Sequence, residues 1–387
     1  MSTVIPLLVL GLIEFVRGAL VFSLIPLFGQ SVAGFSLSVI GTAIALHYLF
    51  DNLFRLLAGW LVDRMGGKAL LSGGIVFSSL GLFIIYEHWS VTWFLLGTGL
   101  FGLGTAPLWP TVIAGIAAKI PLAQLGEALS KVFVAWLVGA GLGSVIVNFI
   151  LGRSYSEAFL ALGVILLIAL MLALLGQFPR VVREVQLPLP TYFRELWREL
   201  LELRLLYPGM FSQTMSVGIL MPIIAIYAKT VLGFNTDQFS YLLVGGGSFT
   251  VLLLIPAGKI ADRWGVKRPL IGGFLLAGVC LVLLPLQKTV FWALVVGAFL
   301  GISYSLILPA WNGLQARVVS PEKRGTMWAI FMTIEGIGTA SGAFIGGKVS
   351  DIFGRQSPFY VSATVLIAMA IFYALGNIDK LINSRQQ

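Results

Sequence analysis

Charge is what this chain has least of. Asp, Glu, Lys and Arg make up 11% of its 387 residues, hydrophobic residues make up 58%, and the mean hydropathy is +0.97. A water-soluble domain has too little interior to hide so much apolar surface, which excludes a soluble enzyme or binding module. A bilayer removes the need to hide it. Cysteine is nearly absent as well: Cys280 stands alone inside an apolar run, so no intrachain disulfide can form and a buried free thiol is expected. The only histidines are His47 and His88, with no Cys/His cluster, which argues against a metal site; nothing calls for a cofactor. A net charge of +9 is of the size nucleic-acid binders carry. Here the basic residues are scattered through short loops, the pattern of membrane-topology signals, so no nucleic-acid partner is expected. The N-terminus also lacks a basic n-region and a small-residue cleavage site, so its first apolar run is expected to be a retained helix.

What the chain does have is apolar runs long enough to cross a membrane. They fall at 4–28, 37–61, 69–87, 91–118, 124–150 and 155–178, then at 207–231, 238–261, 269–287, 289–318, 325–350 and 357–377. The predicted fold class is an all-α membrane protein, with twelve transmembrane helices in two six-helix bundles at 1–178 and 207–387. Between them, 179–206 is the longest polar stretch. Phe193, Leu196, Trp197 and Leu200 recur there at helical spacing against Arg194, Glu195, Arg198 and Glu199, which suits a linker helix lying along the membrane surface. Of the 25 basic residues, five fall in outer segments (Arg153, Lys229, Lys288, Lys348 and Arg355) if both termini are cytoplasmic. Arg17 and Arg55 lie within spans, and the remaining 18 are then inside. That imbalance predicts a multi-pass cell-membrane protein with both termini in the cytoplasm.

The sequence repeats itself at an offset of 199 residues. Gly59-Trp-Leu-Val-Asp63-Arg64-Met-Gly66-Gly-Lys68 recurs as Gly258-Lys-Ile-Ala-Asp262-Arg263-Trp-Gly265-Val-Lys267. The same offset carries Gly102 to Gly301, Pro110 to Pro309, Gly126 to Gly325, Gly139 to Gly338 and Gly143 to Gly342. Both halves therefore share one six-helix plan. Gly97-x-Gly99-x-x-Gly102 matches a dinucleotide-binding fingerprint formally, but it lies within a span with no preceding strand and reads as close helix packing.

Where the halves differ, chemistry is concentrated in the first. Shifted by 199, Glu14 becomes Gln213, Arg17 becomes Ser216, Asp51 becomes Thr250 and Trp136 becomes Glu335. Glu14 and Arg17 are three residues apart on one helical face, and charge inside a span is costly unless paired or functional. Glu14 lies about 15 Å along its helix, at about 1.5 Å per residue, and Asp51 sits at a similar depth in the next one. Arg55 is one turn from Asp51, and Arg17 is placed to bridge the two helices. Such a cluster suits proton coupling, because an acid there can exchange its proton as solvent access changes; a permanent salt-bridge network is the architectural alternative. Glu335 is a second candidate proton site or a pairing partner across the cavity. His47 shares a face with Asp51 and is a candidate for titration, with a hydrogen-bonded structural role as the alternative. Trp109, Trp136 and Trp311 offer rings with a polar N–H, suited to sugar faces or to packing. Gln213 and Asn312 complete the candidate list. No nucleophile–base pair is found, so no catalytic residue is expected and the chain is not read as an enzyme.

The repeated Gly-x-x-x-Asp-Arg-x-Gly-x-Lys loop resembles the signature of the major facilitator superfamily. That resemblance implies two six-helix bundles working by alternating access, with the loops gating the cytoplasmic side. More narrowly, Glu14-Phe-Val-Arg17-Gly, His47-Tyr-Leu-Phe-Asp51, Ala106-Pro107-Leu-Trp109 and Ala135-Trp136-Leu-Val-Gly139 resemble the proton-coupled glycolipid flippases of lipoteichoic acid assembly in Gram-positive bacteria. In the second half, Tyr207-Pro208-Gly209, Ile226-Tyr227-Ala228-Lys229 and Leu308-Pro309-Ala310-Trp311-Asn312 are similar to the same family. The resemblance implies a monomer that moves a disaccharide-linked diacylglycerol outward in exchange for protons. It implies headgroup binding and proton coupling for Glu14, Arg17 and Asp51, and a sugar pocket framed by Trp109 and Trp136. A proton-driven exporter of drugs or other amphiphiles is the rival, weakened because Gly139-Ala-Gly141-Leu-Gly143 lacks the proline usual in such exporters.

Overall fold

The computed structural model describes residues 4–87, 90–117, 125–176, 178, 206–318 and 324–376, with 191, 194 and 197. The described residues form helices and connecting turns, with no strand among them. In hydrocarbon every backbone polar group must find its partner within the chain, and helices achieve that locally. Eleven helical stretches among the described residues are long and apolar enough to span a membrane. The twelfth expected span corresponds to a further 30-residue helix, Arg324–Phe353.

The chain divides into two compact units, Met1–Glu195 and Leu196–Gln387. The first contains α1 (Val4–Ala19), α2 (Ile25–Ser31), α3 (Leu37–Met65), α4 (Gly67–Glu87), α5 (Val91–Thr105), α6 (Leu108–Ala117), α7 (Leu125–Leu151) and α8 (Tyr155–Leu175). The second contains α9 (Tyr207–Leu220), α10 (Ile224–Thr230), α11 (Thr236–Trp264), α12 (Lys267–Leu283), α13 (Val290–Val318), α14 (Arg324–Phe353) and α15 (Ser357–Leu375). Side-chain caps mark several starts: Ser36, Ser90 and Ser154 each accept a backbone N–H from the first turn. Asn235 and Gln238 form a capping box at α11. The helices α3 and α11 both stop at a glycine of the repeated loop, Gly66 with φ +89° and Gly265 with φ +79°, a conformation that disfavours any side chain.

The repeat extends to packing. In the first unit α1 packs on α7 and α8, α3 on α5, and α4 on α5 and α8. In the second, α9 packs on α14 and α15, α11 on α13, and α12 on α13 and α15. Each contact is the other's counterpart 199 residues on. Glycine sets these approaches: a Cβ on Gly102 would overlap the His47 carbonyl, and one on Gly301 the Gly246 carbonyl. Likewise Gly139 and Gly143 face the carbonyls of Gly11 and Phe15, and Gly338 and Gly342 those of Phe211 and Met215. Small residues of this kind let membrane helices meet backbone to backbone. The opposite faces carry large exposed apolar side chains, among them Leu160, Leu167 and Leu175 on α8 and Leu252 and Ile255 on α11, as lipid contact requires.

The first helix of each unit is broken at the same repeat position. Leu20–Leu24 forms a π-helical turn between α1 and α2, closed by a bond from the Ile25 N–H to the Leu20 carbonyl. Residues 221–223 separate α9 from α10, where Met221 N–H bonds to Gly218 and Ile223 N–H to Leu220. In the linker, residues 191, 194 and 197 are helical, with Arg194 and Trp197 exposed; the rest of the expected surface helix lies outside the described residues.

Candidate functional site

The first unit buries four charges in one network. Glu14 is completely buried on α1, Asp51 and Arg55 are buried on α3, and the Arg17 side chain is 12% exposed. Arg17 divides its guanidinium between two helices. Its Nη2 lies 2.6 Å from Glu14 Oε2 and its Nη1 donates to Asp51 Oδ2 at 3.2 Å. Arg55 Nη2 donates to the same Oδ2 at 2.5 Å. The formal charges sum to zero, which is what makes the cluster tolerable where it is buried.

Aromatic residues join the network from α6 and α7. Trp109 Nε1 donates to Glu14 Oε1 at 2.9 Å, and its ring meets Trp136 edge-on with centroids 6.2 Å apart. The structure thus brings Glu14, Arg17, Asp51, Arg55, Trp109 and Trp136 together. Trp109 is 3% exposed and reaches Glu14 because α6 packs beside α1. An indole N–H is satisfied by a carboxyl oxygen whether that carboxyl is charged or protonated, so this bond holds the Glu14 side chain in place through a change of charge.

His47 is buried one turn before Asp51, with Phe101 and Tyr48 against its ring at centroid distances of 5.5 and 5.0 Å. Its two ring nitrogens have no hydrogen-bond partner among the described residues.

The second unit has a smaller cluster. Glu335 Oε1 on α14 accepts from Trp311 Nε1 at 3.3 Å and from Gln315 Nε2 at 3.2 Å, both on α13. Trp311 also packs edge-on against Tyr373, 6.1 Å away. At the positions equivalent to the first unit's charges the groups are neutral, and the Oε1 of Gln213 is buried without a partner among the described residues. Ser216 and Ser362 bond each other, Thr250 donates to the Gly246 and Gly301 carbonyls, and Gln213 is buried. Asn312 is exposed and lies outside this cluster. Sequence reasoning missed Gln315. The signal available was its spacing, one turn beyond Trp311 on an otherwise apolar helix.

The repeated loops have unlike neighbours. Gly59 abuts Pro110 and Gly258 abuts Pro309, so those glycines belong to helix packing. Arg64 is exposed with its guanidinium 4.1 Å from the Trp60 ring centre. Asp262, Arg263 and Lys68 are exposed, whereas Lys267 Nζ donates to the Gly376 carbonyl at 3.0 Å, capping the end of α15. The Asp63 side chain lies outside the described residues. No group of His, Cys, Asp and Glu able to hold a metal occurs among the described residues.

Proteins similar to this chain include several transporters. The chain is 26% identical over 379 residues to the proton-coupled antiporter flippase LtaA of Staphylococcus saprophyticus, covering 96% of this chain and 93% of that one. Among solved structures it is similar to the nucleoside transporter NupG, with a TM-score of 0.76 at 16% identity over 97% of this chain and 98% of the other. It is also similar to a D-xylose-proton symporter, with a TM-score of 0.74 at 17% identity over 96% of each. The profile of the Major Facilitator Superfamily matches residues 7–207 and again 206–380. With a repeated six-helix plan, spans for a bilayer and a match that covers each half in turn, this membrane protein belongs to the Major Facilitator Superfamily and is a transporter, not an enzyme.

Proposed function

We propose that this transporter uses proton movement to flip a disaccharide-headed diacylglycerol lipid from the inner to the outer leaflet. The observation that carries the reading is the buried network of Glu14, Arg17, Asp51 and Arg55, confined to one unit and tied to Trp109. A neutral quartet changes its net charge when one carboxyl takes up a proton, and that change alters the cost of keeping the arginines buried. The name of the LtaA relatives, which span nearly all of this chain, supports the same reading. Glu14, Arg17 and Asp51 bind the headgroup and exchange the proton, while Trp109 and Trp136 give the sugar an aromatic face. The milder second unit accommodates the acyl chains. Both termini face the cytoplasm, and 179–206 links a bundle at 1–178 to one at 207–387.

The test is reconstitution in liposomes with a fluorescent disaccharide-diacylglycerol, scoring outer-leaflet exposure with and without an imposed proton gradient. Gradient-dependent exposure is expected. Efflux of a cationic dye with no movement of any disaccharide lipid overturns the reading in favour of a drug exporter.

A further inference from the structure

The completely buried His47 leaves both of its ring nitrogens without a protein partner, among the described residues. On the same face of α3, the Oδ1 of Asp51 is also buried and unpartnered, as is the Nε of Arg55 another turn along. The orphaned atoms thus follow one another at 47, 51 and 55, the spacing that stacks side chains on one stripe. An imidazole always carries at least one N–H donor, and a carboxylate oxygen is an acceptor. Unpaired groups of this kind, buried together, mark a place where ordered water completes the bonding. We propose that His47 and Asp51 hold an internal water between them, and that this pair is the station through which Asp51 gains and loses its proton. The proposal rests on the proton-coupled reading above and adds the residue and the route.

The surroundings fit that role. Asp51 Oδ2 is already occupied by both guanidiniums, so a proton must arrive at Oδ1, the oxygen turned to no other protein group. The charges acting on His47 come from Asp51 and Arg55 on its own helix and from Arg17 on α1. On the helices packed against α3 at this level, α5 and α6 contain no titratable residue, and α5 contributes the Phe101 ring. Gly102 meets the His47 carbonyl and fixes how closely α5 approaches. In the step itself an imidazolium N–H passes its proton to the water, the water passes one of its own to Asp51 Oδ1, and a neutral imidazole remains. Atoms and charge balance with no other reactant. In the second unit the residue equivalent to His47 is Gly246, which has no side chain to take this part.

Because His47 and His88 are the only histidines, ¹⁵N-histidine NMR on the full-length protein in nanodiscs can follow His47 directly, with His88→Gln assigning the signal. The His47 signal is expected to move with pH and to shift in Asp51→Asn. Proteoliposome assays of His47→Gln and His47→Phe complete the test. Both are expected to keep gradient-independent exchange of lipid between leaflets and to lose at least most of its acceleration by a proton gradient. A His47 signal that is fixed in one tautomer across the whole pH range and indifferent to Asp51→Asn overturns the proposal. So does a wild-type gradient response that survives unchanged in both variants. If the wild-type protein itself shows no gradient response, the failure lies with the proton-coupled reading, and the NMR outcome still decides whether His47 and Asp51 are linked.

Discussion

The two units are built to one plan and furnished differently. Glycine-to-carbonyl contacts recur 199 residues apart, from Gly102 on His47 to Gly301 on Gly246 and from Gly143 on Phe15 to Gly342 on Met215. The polar residues on those scaffolds do not recur. The first unit buries two acids and two arginines in one network, whereas the second has locally bonded serine and threonine at 216 and 250 and a buried glutamine at 213. Each still contains one tryptophan donating to a carboxylate, Trp109 to Glu14 and Trp311 to Glu335, but through different helices. The lesson is that backbone packing and polar chemistry vary independently in this fold. A glycine seam holds helices together and leaves the facing side chains free to diverge.

The strongest test of that independence is to give the first unit the second unit's residues. The quadruple variant Glu14→Gln, Arg17→Ser, Asp51→Thr and Arg55→Leu installs the residues found at 213, 216, 250 and 254. It is expected to fold, and in proteoliposomes to reduce gradient-driven lipid flipping to the level of protein-free vesicles. Failure to insert and fold would show that the charges are part of the scaffold. Arg17→Ser alone is expected to be less stable than the quadruple variant. It strands the buried Glu14 carboxylate while Asp51 keeps Arg55, a loss of roughly 3–5 kcal/mol for a broken buried pair, whereas removing the whole set leaves no unpaired charge. Thermal unfolding in detergent compares them directly, and a single variant as stable as the quadruple one refutes the network.

How much of this was open to sequence reading divides along the same line. Hydropathy and the 199-residue offset point to the spans, because lipid selects apolar length and the loop glycines are needed for backbone reasons. The intramembrane charges are conspicuous for the same cause. Which residues touch is a different matter. The Trp109–Glu14 bond joins residues 95 apart, and the Trp311–Gln315–Glu335 group depends on how α13 rotates against α14. Helix rotation follows from packing of many small contacts, and periodicity fixes it only within a helix. The π-helical turn was equally hidden, since its sequence Leu20-Val-Phe-Ser-Leu24 is ordinary helix material.

Smaller effects sharpen the comparison further. Glu335→Gln keeps an oxygen acceptor for Trp311 and Gln315, so the protein is expected to fold normally and lose only a few-fold in lipid-flipping rate, far less than Glu14→Gln. An equal loss for the two would erase the functional distinction between the units. Smallest in reach is a matched set of glycines. Gly102→Ala and Gly301→Ala each push a methyl into a facing carbonyl and are each expected to destabilise by about 1–3 kcal/mol. Gly73→Ala and Gly272→Ala, also 199 apart, meet open space and should change stability by no more than about 1 kcal/mol. Melting curves of the four variants check whether the seam is equally tight in both units.

The interruption in the first helix of each unit has a mechanical consequence. In the first unit the Leu20–Leu24 turn is underwound, with a bond spanning five residues; in the second, the bonds at Met221 and Ile223 span three and the chain is overwound. Past these points the two rods are therefore rotated in opposite senses relative to an unbroken helix. Bending is cheapest where the regular ladder is already lost. The far end of each rod has a swivel of its own, about one and a half turns beyond Glu14 in the first unit, so it can tilt without carrying the charged network with it. The opposite winding means that the same tilt turns different faces in the two units.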